Sequence, residues 1–317
     1  MTRPTLTVLD DYQGVALACA DWSTVSQRWD VQVIREHVGD PDELVRRLAG
    51  SEVVVAMRER TPFPAALLDR LPALRLLVTT GAKNAAIDLE AARARGVTVC
   101  GTGNTGNAVP EITLGLIIAL ARNFAAENDA MHAGGWQHTV GLGLAGSTLG
   151  IVGLGRLGIP VAQLAQAFGM RVIAWSPHLT AERAAEHDVL AVDKATLFAD
   201  SDFVTLHLPL SDRSRGLVTA GDLARMKPTA YLINTSRGPI VDEAALVDAL
   251  RERRIAGAGL DVFDTEPLLA DHPLRSLSNA LLLPHVGYVT WDVYRLWFAQ
   301  VVEDVLAWAA GAPVRVL

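Results

Sequence analysis

The sequence predicts an α/β protein built from two doubly wound parallel sheets. Two observations carry this. Short apolar runs alternate with helix-period segments in two series, one before residue 103 and one from residue 148 onwards. Strands separated by helices of this length pair in parallel, with helices covering both faces of the sheet. At the head of the second series, the apolar run 148–152 opens into glycines 153, 155 and 158, and a helix-period segment follows at 159–168.

In the first series, residues 5–9, 31–35, 53–56, 76–79 and 97–100 read as strands, and 42–48, 65–71 and 89–95 as helices. Pro41 followed by Asp42 and Glu43 suits a helix start, where early acids meet the positive end of the dipole. The Gly- and Asn-rich stretch 101–107 precedes a long apolar helix, 111–122, and marks a crossing between domains. Residues 133–147 are glycine-rich and irregular, with Trp136 as the one large anchor. The second series predicts strands at 148–152, 171–175, 203–206, 230–234, 257–260 and 280–283, a six-strand pattern. Helices fit at 159–168, 181–187, 222–226 and 242–251. A final amphipathic helix near 290–310 is followed by Pro313 and a strand-like tail that returns to the first domain.

The chain has 317 residues, 50% hydrophobic and 20% charged, which is enough for two folded domains. Net charge is −7 and no basic block occurs, so neither nucleic acid nor an anionic membrane is an expected partner. Cys19 and Cys100 lie in no metal-ligand spacing and read as buried apolar residues of a reducing compartment. No metal is expected. The N-terminus lacks a signal-peptide pattern, and the longest apolar run, 112–121, is too short to span a bilayer. A cytoplasmic protein is expected.

The three glycines have separate tasks. Gly153 permits the tight turn out of the strand. Gly155, without a Cβ, allows a pyrophosphate close to the backbone. Gly158 lets the helix pack against the sheet, and the helix N-terminus offers N–H groups and partial positive charge to the phosphates. The motif sits between a strand and a helix, where a dinucleotide site requires it.

Three polar clusters follow later strands: Asn234-Thr235-Ser236-Arg237-Gly238, Asp261 to Pro267, and Pro284-His285-Val286-Gly287. Ligands of open parallel sheets bind beyond the carboxyl ends of the strands. Arg237, Glu266 and His285 at three successive strand ends suit reduction of a 2-oxo acid. Such chemistry uses an arginine fork for the carboxylate or carbonyl, a histidine as proton donor, and a carboxylate that orients the imidazole and favours its protonated form.

On these motifs the chain resembles the D-isomer-specific 2-hydroxyacid dehydrogenases, which include phosphoglycerate, glycerate and formate dehydrogenases. GIVGLGRLG, LHLPLSDRSRGLV, LINTSRGPIVDEAAL, GLDVFDTEP and LLPHVG carry the likeness through residues 148–289, and GAKNAAIDLEAARARGV extends it to 81–97. The resemblance implies a Rossmann cofactor domain, 104–290, inserted in a flavodoxin-like substrate domain made of 1–103 and completed by 291–317. It implies that Arg237 binds substrate, that His285 is the acid/base and that Glu266 is its partner. Asp261 would hold the nicotinamide carboxamide. Met57, Arg58 and Gly81 would bind the substrate carboxylate through backbone N–H groups. Arg156 and Leu157 would lie along the pyrophosphate, with Leu208, Pro209, Thr235 and Gly287 near the cofactor. The family also forms homodimers, and residues 134–145 are a plausible contact.

Two features depart from the family pattern. Tyr288 and Trp291 follow the histidine segment, where small residues are usual. Ser176 stands at the end of the second strand, where NAD-preferring members carry an acid. The cofactor is therefore NAD or NADP. The function expected is hydride transfer between NAD(P)H and a 2-oxo acid. The alternative is an NAD(H)-sensing interaction protein of the co-repressor type, since fold does not fix function. Glu59 and Arg60 are as well explained by a solvated charge pair as by substrate contact. His207 reads as a satisfied strand-end residue, and His132, His138 and His272 as surface or loop residues.

Overall fold

Runs of Leu, Val and Ile become strands here because both of their faces are covered. In a computed structural model that describes residues 3–103 and 108–317, the chain divides into two units, Met1–Thr105 with Val289–Leu317, and Gly106–Tyr288. Residues 104–107, where the sequence reading puts the crossing, lie outside the described residues.

The first unit contains β1 (Thr5–Val8), β2 (Asp30–Val33), β3 (Ser51–Ala56), β4 (Leu76–Thr79) and β5 (Thr98–Gly101), in the order β2-β1-β3-β4-β5. This is the flavodoxin-like winding. The second unit contains β6 (Thr148–Val152), β7 (Arg171–Trp175), β8 (Leu190–Ala191), β9 (Phe203–Leu206), β10 (Tyr231–Asn234), β11 (Gly257–Leu260) and β12 (Ala280–Leu282). Their order, β12-β11-β10-β9-β6-β7-β8, is the Rossmann order with a seventh strand. All strand pairs are parallel. The central strands β4, β6 and β9 are buried at every residue, as two covered faces require, whereas the edge strand β2 has none buried.

The expected six-strand pattern is corrected to seven. The edge strand β8 has two residues, too few for any apolar period to register. Helices Ser23–Arg28 and Lys194–Asp200 are likewise short, and the helix expected over 65–71 stops at Leu68. The apolar segment forms the helix Ala108–Ala121, then breaks at Asn123, whose φ is +52°, and resumes as Phe124–His132. Leu116 and Leu120 of the first helix lie over Gly259 of β11, where a Cβ would meet Leu120 at 3.1 Å. Among the described residues no single helix is long and apolar enough to cross a membrane.

The helix Trp291–Ala309 buries Val293, Tyr294, Trp297, Phe298, Val301 and Val305 in the first unit. Beyond it the tail returns to β5. The Leu317 N–H donates to the Val99 carbonyl at 2.9 Å, and the Gly101 N–H to that of Arg315 at 3.0 Å. These bonds cover an otherwise open sheet edge. Both cysteines are free and buried, and burial pushes the Cys100 thiol up to about 11, so it behaves as an apolar residue.

The tail is latched by Asp304, which is fully buried and accepts from Arg315 Nε at 3.0 Å. Its other oxygen has no hydrogen-bond partner among the described residues. Burial pushes the Asp304 carboxyl up to about 7, against the opposing effect of Arg315. Between about pH 4 and 7 the folded chain therefore binds a proton that the unfolded chain does not, and stability falls as pH rises through this window. Asp304→Asn removes that titration. The melting temperature of the variant should gain on wild type between pH 5 and pH 8, and a difference that stays constant over this range would show that Asp304 titrates normally.

Candidate active site

Register brings the ends of β7, β6 and β9 level. Val152 lies opposite Trp175 on one side and Leu206 on the other. Gly153 then donates its N–H to the Trp175 carbonyl at 2.9 Å, and His207 donates to the Val152 carbonyl at 2.8 Å. This is the point where strand order reverses. The glycines divide their tasks here. Gly153 has φ +103°, and a Cβ on it would meet the His207 carbonyl oxygen and the Leu208 side chain, both at 2.8 Å. A Cβ on Gly158, the first residue of helix Gly158–Ala167, would run into the carbonyl oxygen of Gly153. A Cβ on Gly155 meets nothing within 4 Å. The helix starts at Leu157 without a side-chain cap, and Arg156 beside it is exposed. Exposed space beside Gly155 and an uncapped helix start fit the pyrophosphate of a dinucleotide.

Around this turn, Ser176 is partly exposed directly after β7, and its carbonyl accepts from the Leu179 N–H at 3.2 Å. Glu182 lies in the short helix Ala181–Ala185 that Thr180 caps. After β9, the Pro209 carbonyl accepts from the Ser214 hydroxyl at 2.7 Å. His207 is buried, and burial lowers its imidazole to about 4, so it is neutral at pH 7. Its Nε2 lies 3.0 Å from the Thr205 hydroxyl, while Nδ1 has no hydrogen-bond partner among the described residues. The expected satisfied histidine is thus satisfied at one nitrogen. Thr235 shares a 2.9 Å hydroxyl contact with Thr113, which donates to the Val109 carbonyl at 2.8 Å. Thr235 therefore also fastens the apolar helix.

The next three strand ends are level too, since Leu260 lies opposite both Asn234 and Leu282. After β10 the Asn234 side chain folds the loop, donating to the Arg237 carbonyl at 2.9 Å and accepting from the Ser236 N–H at 3.0 Å. The Arg237 guanidinium donates to the Ser236 carbonyl at 2.7 Å. A Cβ on Gly238 would collide with the main chain of Phe263 and Asp264, so the loops after β10 and β11 are in close contact.

Glu266 accepts from the Phe263 N–H through Oε1 at 2.9 Å and contacts His285 Nδ1 through Oε2 at 2.6 Å. The ring's Nδ1 is therefore taken, and Nε2 is the nitrogen left for chemistry. His285 itself has φ +53°. Past it, the N–H groups of Val286 and Gly287 donate to Oδ1 and Oδ2 of Asp261 at 2.7 and 2.8 Å. Burial pushes the Asp261 carboxyl up to about 6 despite these bonds and the nearby His285. The Tyr288 ring stands edge-on to the His285 ring with centroids 5.4 Å apart.

A brace absent from the sequence reading supports this cluster. Glu243 contacts His272 Nε2 at 3.0 Å and accepts from the Asp264 N–H at 3.2 Å. His272 Nδ1 accepts from the Leu274 N–H at 3.3 Å, which assigns the proton to Nε2. Nothing in the spacing of Glu243 and His272 signals the pair, because they are 29 residues apart.

In the first unit, Met57 is buried and Arg58 has φ +52°. The Arg58 N–H donates to the Thr80 hydroxyl at 2.9 Å, and the Gly81 N–H to that of Thr102 at 2.6 Å. A carboxylate taken by these N–H groups must displace the threonine hydroxyls. Gly81 has φ +90°, and the Arg58 guanidinium occupies the place of its missing Cβ. That guanidinium also lies 5.9 Å from the Trp297 ring centre and 3.4 Å from Glu59. Arg60 donates to the Asp10 carbonyl at 2.7 Å and stacks on Tyr12, which is a structural tie. Trp291 is 56% exposed, with Arg295 of its own helix over the ring.

A glycine turn at the switch point of a parallel sheet, with a histidine–glutamate pair beyond neighbouring strand ends, defines a dinucleotide-dependent oxidoreductase. Residues 114–287 match the family model described as D-isomer specific 2-hydroxyacid dehydrogenase, NAD binding domain. Glycerate dehydrogenase of Methylorubrum extorquens is 36% identical over 296 residues, covering 89% of this chain and 90% of that protein. Glyoxylate reductase of Thermococcus litoralis is 37% identical over 77% of each chain. The chain spans about half the length of the related D-3-phosphoglycerate dehydrogenases, 52% for that of Archaeoglobus fulgidus. The crystal structure of phosphoglycerate oxidoreductase from Vibrio cholerae superposes with a TM-score of 0.93 at 37% identity, over 98% of this chain and all of that one. The chain belongs to the D-isomer-specific 2-hydroxyacid dehydrogenase family and is an NAD(P)-dependent enzyme of that family. The co-repressor alternative thus gives way to the oxidoreductase.

The glycine geometry separates binding from folding. Gly155→Ala should keep its melting temperature within about 2 °C of wild type and lose about tenfold or more in NADH affinity, because the new methyl enters the phosphate space. Gly158→Ala should destabilise by about 1–3 kcal/mol, because backbone must move. If Gly155→Ala binds NADH as wild type does, the phosphates lie elsewhere.

Proposed function

We propose that the enzyme reduces a 2-oxo acid to the D-2-hydroxy acid, with His285 as proton donor. The observation that carries this is the 2.6 Å contact between His285 Nδ1 and Glu266. When bound, the cofactor supplies the hydride. Glu266 holds the ring through Nδ1, and Nε2 gives its proton to the carbonyl oxygen. Arg237 takes the substrate's carboxylate or carbonyl with its two-point fork. Met57, Arg58 and Gly81 anchor the carboxylate, the Arg58 guanidinium supplying the charge where the N–H groups are already engaged. The unit Gly106–Tyr288 is the cofactor domain and the other unit the substrate domain. Glyoxylate and hydroxypyruvate are the substrates to try first, since relatives of this chain are a glyoxylate reductase and a hydroxypyruvate reductase.

Cofactor choice follows from Ser176. A carboxylate there would accept both ribose hydroxyls of NAD and repel the added phosphate of NADP. A serine hydroxyl does not repel it. NADPH is therefore used at least comparably to NADH.

A homodimer is also proposed. Phe124, Met131, Trp136 and Val140 are all more than half exposed within the 17 residues from 124 to 140. Large apolar groups left exposed so near one another in sequence are the candidate interaction face. Sedimentation should show a dimer, and Trp136→Ser with Val140→Ser should shift it towards monomer. A wild-type monomer at micromolar concentration would remove this part of the reading.

Glyoxylate, hydroxypyruvate, pyruvate and longer 2-oxo acids, each run with NADH and NADPH, test the rest. Turnover of none would refute the assignment of substrate class. In His285→Gln, kcat should fall by ~10²–10⁴ with cofactor affinity little changed. A variant that keeps more than about a third of wild-type kcat removes His285 as the donor, since a general acid contributes far more than that. Ser176→Asp should shift preference towards NADH. A wild-type preference for NADH above ~100-fold, about 2.7 kcal/mol, would place discrimination away from residue 176.

A further inference from the structure

We infer that Asp261 is a positioning residue: it holds the main chain after His285, through the N–H groups of Val286 and Gly287, in the turn that sets the imidazole against Glu266. The inference rests on the reading of His285 as proton donor. It starts from the backbone. At φ +53°, His285 occupies the left-handed region, which a residue with a Cβ leaves unless its surroundings hold it there. A left-handed residue next to successive N–H groups forms a small concavity that attracts an anion. Here the anion is internal. Asp261, only 1% exposed, leaves β11 one strand away and places one oxygen on each N–H, at 2.7 and 2.8 Å.

The fit is tight on both sides. A Cβ on Gly287 would stand 2.9 Å from Asp261 Oδ2, so the residue at 287 must be small for the carboxylate to reach the N–H. The approach to the turn is fastened separately, by the Leu283 N–H on the Leu260 carbonyl at 2.8 Å and the His285 N–H on the Leu283 carbonyl at 3.0 Å. Nδ1 of His285 then meets Glu266 at 2.6 Å. Two carboxylates from one loop thus act on one turn, Glu266 on the ring of His285 and Asp261 on the N–H groups of the two residues that follow it. Holding a nicotinamide carboxamide, the role that the family resemblance implies for Asp261, would use the same two oxygens. The two roles make different predictions for the protein without cofactor.

The test is Asp261→Asn. The amide keeps one acceptor but turns an NH2 group towards the other N–H. In cofactor-free protein, hydrogen exchange at Val286 and Gly287 should speed up by about tenfold or more, while β6 and β9 keep their protection. kcat should fall by about tenfold or more, with the Kd for NADH within about threefold of wild type. Gly287→Ala, which leaves the carboxylate in place and crowds it, should give the same pattern more weakly and covers the case in which Asp261→Asn does not fold. Unchanged exchange at both amides overturns the inference, as does a kcat that is kept while NADH affinity alone is lost. Should His285→Gln keep its kcat, the proton-donor reading fails, while the exchange rates still decide whether Asp261 holds this turn.

Discussion

Parallel pairing is the constraint on which the second unit depends. It sends the carboxyl end of every strand to one edge of the sheet. Gly153, Ser176, His207, Thr235, Asp261 and Leu283 each follow directly on a strand and share that edge. The order reversal between β6 and β9 leaves room there, because the chain departs in opposite directions on either side of it. The glycine turn, Ser176 and the loops that carry Glu266 and His285 then lie along one edge because register makes neighbouring strands end together. No long-range attraction between these residues is needed to assemble them. Each requires only its own strand to be in register, and burial of both sheet faces enforces that.

Strain and desolvation gather at the same edge. His285 holds a left-handed backbone, His207 is buried and neutral, and Asp261 is pushed up to about 6 by burial. Such features cost stability wherever they occur. The covered cores on either side of the sheet offset them. Asp304 shows the same physics away from these loops, since it accepts from Arg315 in the tail that bonds to β5. A buried carboxylate by itself therefore does not mark a catalytic site. Asp261 differs from Asp304 in its partners, which are the two N–H groups that follow His285, the proposed proton donor, rather than an arginine of the same terminus.

Much of this was legible in the sequence. Continuous apolar runs exposed the long central strands, and the glycine spacing exposed the turn, because both follow from main-chain requirements that residue type reports directly. Features set by partners distant in sequence were not legible. β8 is too short to show a period. The break at Asn123 follows the apolar helix read over 111–122, and the second helix beyond it, Phe124–His132, has no part in that reading. The Glu243–His272 brace pairs residues with no motif between them. The N–H groups of Arg58 and Gly81 were expected to be available to a ligand. Their engagement by Thr80 and Thr102 depends on how β3, β4 and β5 lie side by side, which residue spacing alone does not report.

The loop after β11 carries its two acids five residues apart and gives them opposite surroundings. Asp261 leaves the strand at once and is sealed by the sheet, whereas the side chain of Glu266 is 32% exposed. A sealed carboxylate is suited to holding a fixed main-chain shape, because low dielectric strengthens its bonds to N–H groups. A carboxylate in contact with solvent is suited to a ring that gains and loses a proton, because water takes up part of the charge change. Exchanging the two acids would fail for this reason, although both carry the same functional group. Position along one loop thus assigns their tasks, much as two carboxylates in unlike surroundings divide acid and base roles in other enzymes. The glycine at 238 lets the loop after β10 close directly against Phe263 and Asp264, the stretch of chain between the two acids.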